Sequence, residues 1–395
     1  MLLPAVTHDD EYAGSFGSIP APVLRSCEEL TRECERYPDA FIRQLLDRQT
    51  KVRTEAARLI GAGDPDTCVF LSNVSTAMNT ILQSFKWSPQ DYLICTDAIF
   101  PSITLAIEKL SPGPTVSTFK ILAEGSSHES VISGFRALVD DVKAAVQLKS
   151  GKEHSKGSIT ESPKIVVIME TITASPSILL PWKKMVRICR DESIWSIVDA
   201  AHSLGQETDI NVEEVDPDFW MTDCAKWYYT MRGCALLYAP LRNTKHIVPL
   251  VPGVRYPTRG PTPTEHVHSF FWNGLTDPVA SLSIEYATDF RKRLGGEKMI
   301  NAYCHTLAVA GGGLVARSLG TTVLDTTESG ELTGNMTNVE LPISPKIQQS
   351  SRVYFFFDDE MLQKHKICVS LFHYMGRWWV RISAQIYNDV GFCIP

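Results

Sequence analysis

The sequence predicts an α/β protein: a large domain on a mostly parallel seven-stranded sheet, then a smaller α+β domain. Two observations carry that prediction. Through the first two-thirds of the chain, short and nearly continuous apolar runs alternate with stretches of helical periodicity, as in a parallel sheet covered on both faces. Beyond a segment holding Pro252, Pro257, Pro261 and Pro263, which is extended and non-helical, the pattern becomes long helices followed by strands.

The elements follow in order. Residues 26–60 read as helical with a break at Pro38. Cys68-Val-Phe-Leu71 is a short strand, and 76–86 is a helix with apolar residues at 77, 78, 81, 82 and 85. Tyr92–Cys95 reads as a strand and 102–110 as a helix. Strands near 115–121, 164–169 and 195–199 are separated by helices near 130–148 and 181–192, and 219–221 and 234–238 complete seven strand-like runs. Ser150–Ser162 is polar and reads as a surface loop. A helical stretch over 278–318 breaks at Gly295-Gly296. Runs at 337–341, 352–357 and 367–373 read as strands, and Met375-Gly376 turns the chain into a last one, Trp378–Ser383. This divides the chain into an N-terminal arm (1–25), a large domain (26–265) and a small domain (266–395).

Composition narrows the function. Of 395 residues, 44% are apolar and 21% charged, the profile of a globular chain and not a disordered one. The net charge of −7 and the lack of a basic run speak against nucleic acid as a partner. No stretch reaches the roughly 18 uninterrupted apolar residues of a membrane span, and the start does not read as a signal peptide. The 10 cysteines contain no Cys-x-x-Cys pair, and several lie in apolar runs, so a reduced, cytoplasmic enzyme is expected. No metal site is expected: His266-Val-His268 reads as a loop or strand pair without further ligands.

Ligands of such sheets bind beyond the carboxyl ends of the strands, and four features cluster there. Asp199 ends a buried run, with His202 three residues on. An Asp there pairs with a protonated ring nitrogen, or simply caps the next turn. Lys226 follows a short strand and precedes Trp-Tyr-Tyr. Apolar surroundings make such an amine a nucleophile able to form a Schiff base, whereas most lysines are solvated. Asn73-Val-Ser75-Thr76 sits between a strand and a helix, where N–H groups and hydroxyls take a phosphate or merely cap the helix. Arg381 alternates with Val380 and Ile382 in a strand, and its planar fork grips a carboxylate or serves a structural ion pair. Together the four describe a pyridoxal-phosphate site working through a carbanion at a substrate Cα.

Val198-Asp-Ala-Ala-His-Ser-Leu-Gly-Gln206, Asp223-Cys-Ala-Lys-Trp227, Arg232-Gly-Cys-Ala-Leu-Leu-Tyr238, Gly14-Ser-Phe-Gly17, Trp272-Asn-Gly-Leu-Thr-Asp277 and Val380–Asn388 resemble the class V aminotransferase family of fold-type I enzymes. The resemblance is to its isopenicillin-N-epimerase-like branch, which includes fungal C–S lyases of ergothioneine synthesis and a loline-pathway enzyme. It implies pyridoxal 5'-phosphate as cofactor, with Lys226 as Schiff-base lysine and proton carrier. It further implies Asp199 at the pyridine nitrogen, His202 at the ring hydroxyl, Ser75, Thr76 and Thr222 at the phosphate, Phe100 stacked on the ring, and Arg381 at the substrate carboxylate. It also implies a homodimer in which Trp272–Asp277 reaches the partner's site.

Three positions depart from the branch: Ala225 stands for a usual His, Leu275 for a usual Thr (with Thr276 beside it), and Phe100 for a frequent Tyr. The expected activity is a lyase, epimerase or cyclase reaction on an amino acid in fungal secondary or sulfur metabolism. Cysteine desulfuration is an alternative, but Thr326–Pro342 lacks the cysteine that it needs. A non-catalytic binding protein is the other, opposed by the intact Lys226 and Asp199.

Overall fold

The parallel sheet follows from where the apolar residues fall. In the computed structural model, which describes residues 13–122, 126–153, 162–255 and 263–389, the strands of the large sheet other than the edge strand at 115–119 send alternate side chains into two separate cores. The chain opens with the short helix α1 (Ala13–Phe16). α2 (Ala21–Arg36) and α3 (Pro38–Leu59) follow, each with a proline in its first turn, where the missing N–H costs nothing. Then come β1 (Cys68–Leu71), α4 (Val74–Ser84), β2 (Tyr92–Thr96), α5 (Pro101–Glu108), β3 (Thr115–Phe119), α6 (His128–Glu153), β4 (Ile165–Glu170), α7 (Trp182–Asp191), β5 (Trp195–Asp199), α8 (Val212–Val215), β6 (Phe219–Asp223), α9 (Cys224–Trp227), β7 (Ala235–Tyr238) and α10 (Leu241–Thr244).

The sheet order is β1-β7-β6-β5-β4-β2-β3. The pairs from β3 through β6 are all parallel, and β7 alone runs against its neighbours β6 and β1. On one face Val167, Met169, Val198 and Trp220 pack with residues of α2, α3, α6 and α7; on the other Val166, Ile168, Ile197 and Met221 pack with residues of α4 and α5. Because β4, β5 and β6 are parallel neighbours, their last residues, Glu170, Asp199 and Asp223, emerge on one edge, and Glu170 lies directly beside Asp199 in the register.

The rest of the chain supplies α11 (Glu265–Phe271), α12 (Val279–Arg293), α13 (Glu297–Leu319), β8 (Met336–Glu340), α14 (Ser351–Asp359), β9 (Ser370–Tyr374) and β10 (Arg377–Ser383). The strands form an antiparallel sheet in the order β8-β10-β9. α13 is long and apolar enough to cross a membrane, yet it lays Ile300, Cys304, Leu307, Ala308 and Ala316 into the interior.

Three local expectations are corrected. Residues 352–357 are not a strand but most of α14. Ser350 caps it, its Oγ accepting from Val353 N at 3.4 Å, and Val353, Tyr354 and Phe357 take the helical spacing that packs on the small sheet. A five-residue apolar run carries no periodicity that separates strand from helix. His266 and His268 are likewise in a helix, α11, started by Thr264, and both are buried. α6 runs on to Glu153, four residues into the expected polar loop, whose residues 154–161 lie outside the described ones, as do 256–262 of the proline-rich segment.

Candidate active site

A cavity of about 180 Å³ opens at the shared strand edge, lined by residues that include Asn73, Ser75, Phe100, Glu170, Asp199, His202, Asp223 and Lys226. The sheet topology assembles it: β5 delivers Asp199 and the turn carrying His202, β6 delivers Asp223 and Lys226, and α4 begins opposite them.

Lys226 stands on α9, immediately after β6, with Nζ 3.0 Å from Asp223 Oδ2. The other oxygen of Asp223 accepts from Val74 N at 3.1 Å, so one carboxylate ties the lysine to the first turn of α4. The backbone around the lysine is clamped from behind. Arg291, fully buried, donates to Trp227 O (2.8 Å) and Gly205 O (3.2 Å), pairs with Glu297 through two bonds, and lies over the rings of Tyr228 and Tyr229. Gly205, at φ +95°, is required there: a Cβ would come within 2.4 Å of Trp227 O.

Asp199 is 5% exposed and accepts from Ala201 N at 2.9 Å. Burial pushes its carboxyl up to about 6, against the opposing pull of the Ala201 N–H and the Lys226 charge. A cationic N–H opposite it relieves that cost, which suits a protonated ring nitrogen. His202 Nδ1 accepts from Trp227 Nε1 at 3.3 Å, and Trp can only donate. Burial, then the charges of Lys226 and Arg381, hold the imidazole well below its usual range, so the ring is neutral with its proton on Nε2. A neutral His with one fixed N–H suits a phenolic oxygen.

At α4, Asn73 caps the helix through Oδ1, which accepts from Thr76 N at 2.8 Å. Ser75 Oγ and Ser102 Oγ, 2.9 Å apart, stand together at the starts of α4 and α5. A helix start with hydroxyls beside a Lys–Asp–His cavity fits a phosphorylated pyridine aldehyde. Phe100 precedes α5 and is 46% exposed, so it presents a ring to the cavity without a hydroxyl.

Three expected contacts, Thr76, Thr222 and Arg381, stand outside this wall. Thr76 lines a neighbouring cavity of about 220 Å³, shared with Trp272, Thr276 and Asp277. Leu275 is 91% exposed beside it. Thr222 is buried, with Oγ donating to Ala200 O at 2.7 Å, so its hydroxyl shapes the turn that carries His202. Arg381 is 2% exposed behind Ala174. Sequence reasoning missed Glu170 and Asp223 as members of the wall. Asp223 sits three residues before Lys226, a spacing that brings side chains together on a helix. Glu170 is a strand-end carboxylate, and the rule that singled out Asp199 applied to it equally.

No protein-family model matches the chain. It is 25% identical over 382 residues to hercynylcysteine sulfoxide lyase of Schizosaccharomyces pombe, covering 95% of this chain and 89% of that protein. It is 26% identical over 436 residues to an L-cysteine desulfhydrase-like protein of Epichloe uncinata, covering 99% and 92%. Among solved structures, a cystine C–S lyase bound to its product cysteine persulfide superposes with a TM-score of 0.73 at 16% identity, over 98% of this chain and 95% of that one. The cysteine desulfurase of Thermococcus onnurineus gives 0.75 at 16% identity, over 97% and 91%. The chain is thus a homologue of the fungal hercynylcysteine sulfoxide lyase and L-cysteine desulfhydrase-like proteins, built on the class V, fold-type I architecture.

Proposed function

We propose that the protein is a pyridoxal-phosphate-dependent C–S lyase acting on a cysteine-derived amino acid. The observation that carries this reading is the convergence of Lys226, Asp199 and His202 on one cavity at the start of α4. Relatives named as sulfoxide lyase and cysteine desulfhydrase point to the same bond. When bound, the cofactor supplies an electron sink for the pair left at Cα after proton loss. Lys226 holds the cofactor, takes the Cα proton and passes it on to the departing sulfur. Asp223, 3.0 Å away, keeps the amine at its post. Asp199 keeps the ring nitrogen protonated, His202 holds the ring oxygen through Nε2–H, and Ser75 with the α4 N–H groups takes the phosphate. Arg381 receives the substrate carboxylate.

Elimination releases the sulfur group from Cβ with its bonding electrons. Phe100 offers no phenolic proton for that step, which leaves Lys226 as the acid. Desulfuration through a protein persulfide is disfavoured, because no cysteine lines the cavity among the described residues. Epimerisation needs only the Cα proton transfer and is the second reading, favoured by the lack of that phenol. The proposal includes a cytoplasmic homodimer, with Trp272–Asp277 of each copy at the edge of the partner's site.

The test is a panel of L-amino acids carrying sulfide, sulfoxide and disulfide groups at Cβ. Sulfur release with an equimolar keto acid is expected. A D-enantiomer formed without sulfur release would overturn the lyase assignment in favour of epimerisation.

A further inference from the structure

Arg381 presents a problem of access. It is 2% exposed and takes no part in the cavity wall, although Ala174 does, and Arg381 Nη1 donates to Ala174 O at 2.6 Å. Its other arm is turned to the N-terminal segment, where Nη2 donates to Ser15 Oγ at 2.5 Å. That bond spans 366 positions of sequence.

The segment is held in place at its other end. α1 packs on α9, the helix of Lys226, and Gly17 comes so near that a Cβ would lie 1.9 Å from Ala225 O. Gly17 sits at φ +66°, and its own carbonyl accepts from Arg232 Nη1 at 3.4 Å. The segment therefore holds the guanidinium at Ser15 and, two residues on at Gly17, touches the residue that precedes the lysine. A serine hydroxyl accepts and donates at once: the bond from Nη2 uses a lone pair and leaves the O–H free.

We propose that Ser15 is a substrate-binding residue, its Oγ accepting from Arg381 and donating its own proton to the substrate's α-carboxylate, so that the N-terminal segment forms the carboxylate end of the site. Arg381 Nη1 remains on Ala174 O, and the carboxylate meets Nη2 and the Ser15 hydroxyl together. The pair selects for an α-carboxylate and leaves the sulfur end of the substrate untouched.

This inference rests on the proposed cofactor chemistry, and one titration separates the two. The holoprotein and its Ser15→Ala and Ser15→Thr variants are titrated with L-alanine and with ethylamine, which is alanine without its carboxylate, and the cofactor absorbance is followed. Uptake of pyridoxal phosphate by each protein is measured first. Expected are unchanged cofactor affinity, an alanine Kd raised about tenfold in Ser15→Ala, the scale of one hydrogen bond to a charged group, an unchanged ethylamine Kd, and near-normal alanine binding in Ser15→Thr. Equal weakening of alanine and ethylamine, or no change in either, overturns the inference and leaves the function standing. A wild-type protein that takes up no cofactor removes both.

Discussion

Glu170 offers the sharpest test of the electrostatics at the strand edge. It ends β4 at 3% exposure, beside Asp199, and Thr96 Oγ donates to its Oε2 at 2.8 Å. Burial, then the negative charge of Asp199, pushes its carboxyl from the ordinary 4.5 to about 8, while the Thr96 bond opposes the rise. A carboxyl raised by folding stays neutral in the native protein after the unfolded chain has ionised. Its effect on stability is therefore nil below the unfolded value, grows more unfavourable as pH rises from about 4.5 to about 8, and levels off above. The full span corresponds to at most about 5 kcal/mol, from roughly 1.4 kcal/mol per pH unit.

Glu170→Gln keeps the size of the side chain and an acceptor for Thr96, and removes the titration. Asp97, Asp199 and Cys95, the other titratable groups nearby, are common to both proteins, so the difference isolates Glu170. Urea unfolding, followed by tryptophan fluorescence from about pH 5 to about pH 9, is the assay. The variant is expected to match wild type within about 1 kcal/mol at the acid end and to exceed it by a few kcal/mol at the alkaline end. Parallel stability curves across that range would falsify the assignment of Glu170 as a buried neutral acid.

Two further outcomes are expected at the site. Lys226→Ala abolishes turnover by at least about a thousandfold, and borohydride no longer fixes the cofactor to the chain; covalent fixation in that variant moves the attachment elsewhere. Arg381→Ala raises the Kd of amino-acid ligands roughly a hundredfold, as befits loss of a buried charged donor, with cofactor affinity little changed. Equal losses in both take Arg381 out of the substrate site.

Much of this architecture was legible from local pattern. Seven strand-like runs of three to seven residues fall on the seven observed strands, and the break at Gly295-Gly296 appears as the gap between α12 and α13. The Asp199, His202 and Lys226 positions were readable because parallel strands share one carboxyl edge, so a polar residue at the end of an apolar run has a known destination. Where pattern failed, it failed for a physical reason. Val353–Phe357 is apolar throughout, and only packing of Val353, Tyr354 and Phe357 on the small sheet decides for a helix. Thr222 sits one residue before the end of β6, but its hydroxyl is committed to Ala200 O beneath the cavity.

The sequence by itself determined which residues form strands, which faces are apolar and which strand ends carry charge, because those are properties of neighbours within a few positions. Tertiary structure alone decided the company each group keeps. Asp223 joins Val74 across 149 positions, and Arg381 reaches Ser15 across 366. Glu170 is held neutral by burial first and then by a carboxylate on the adjacent strand. Hydrogen bonds and desolvation act through space over a few ångströms, and no periodicity along the chain encodes which distant atoms will fill that range.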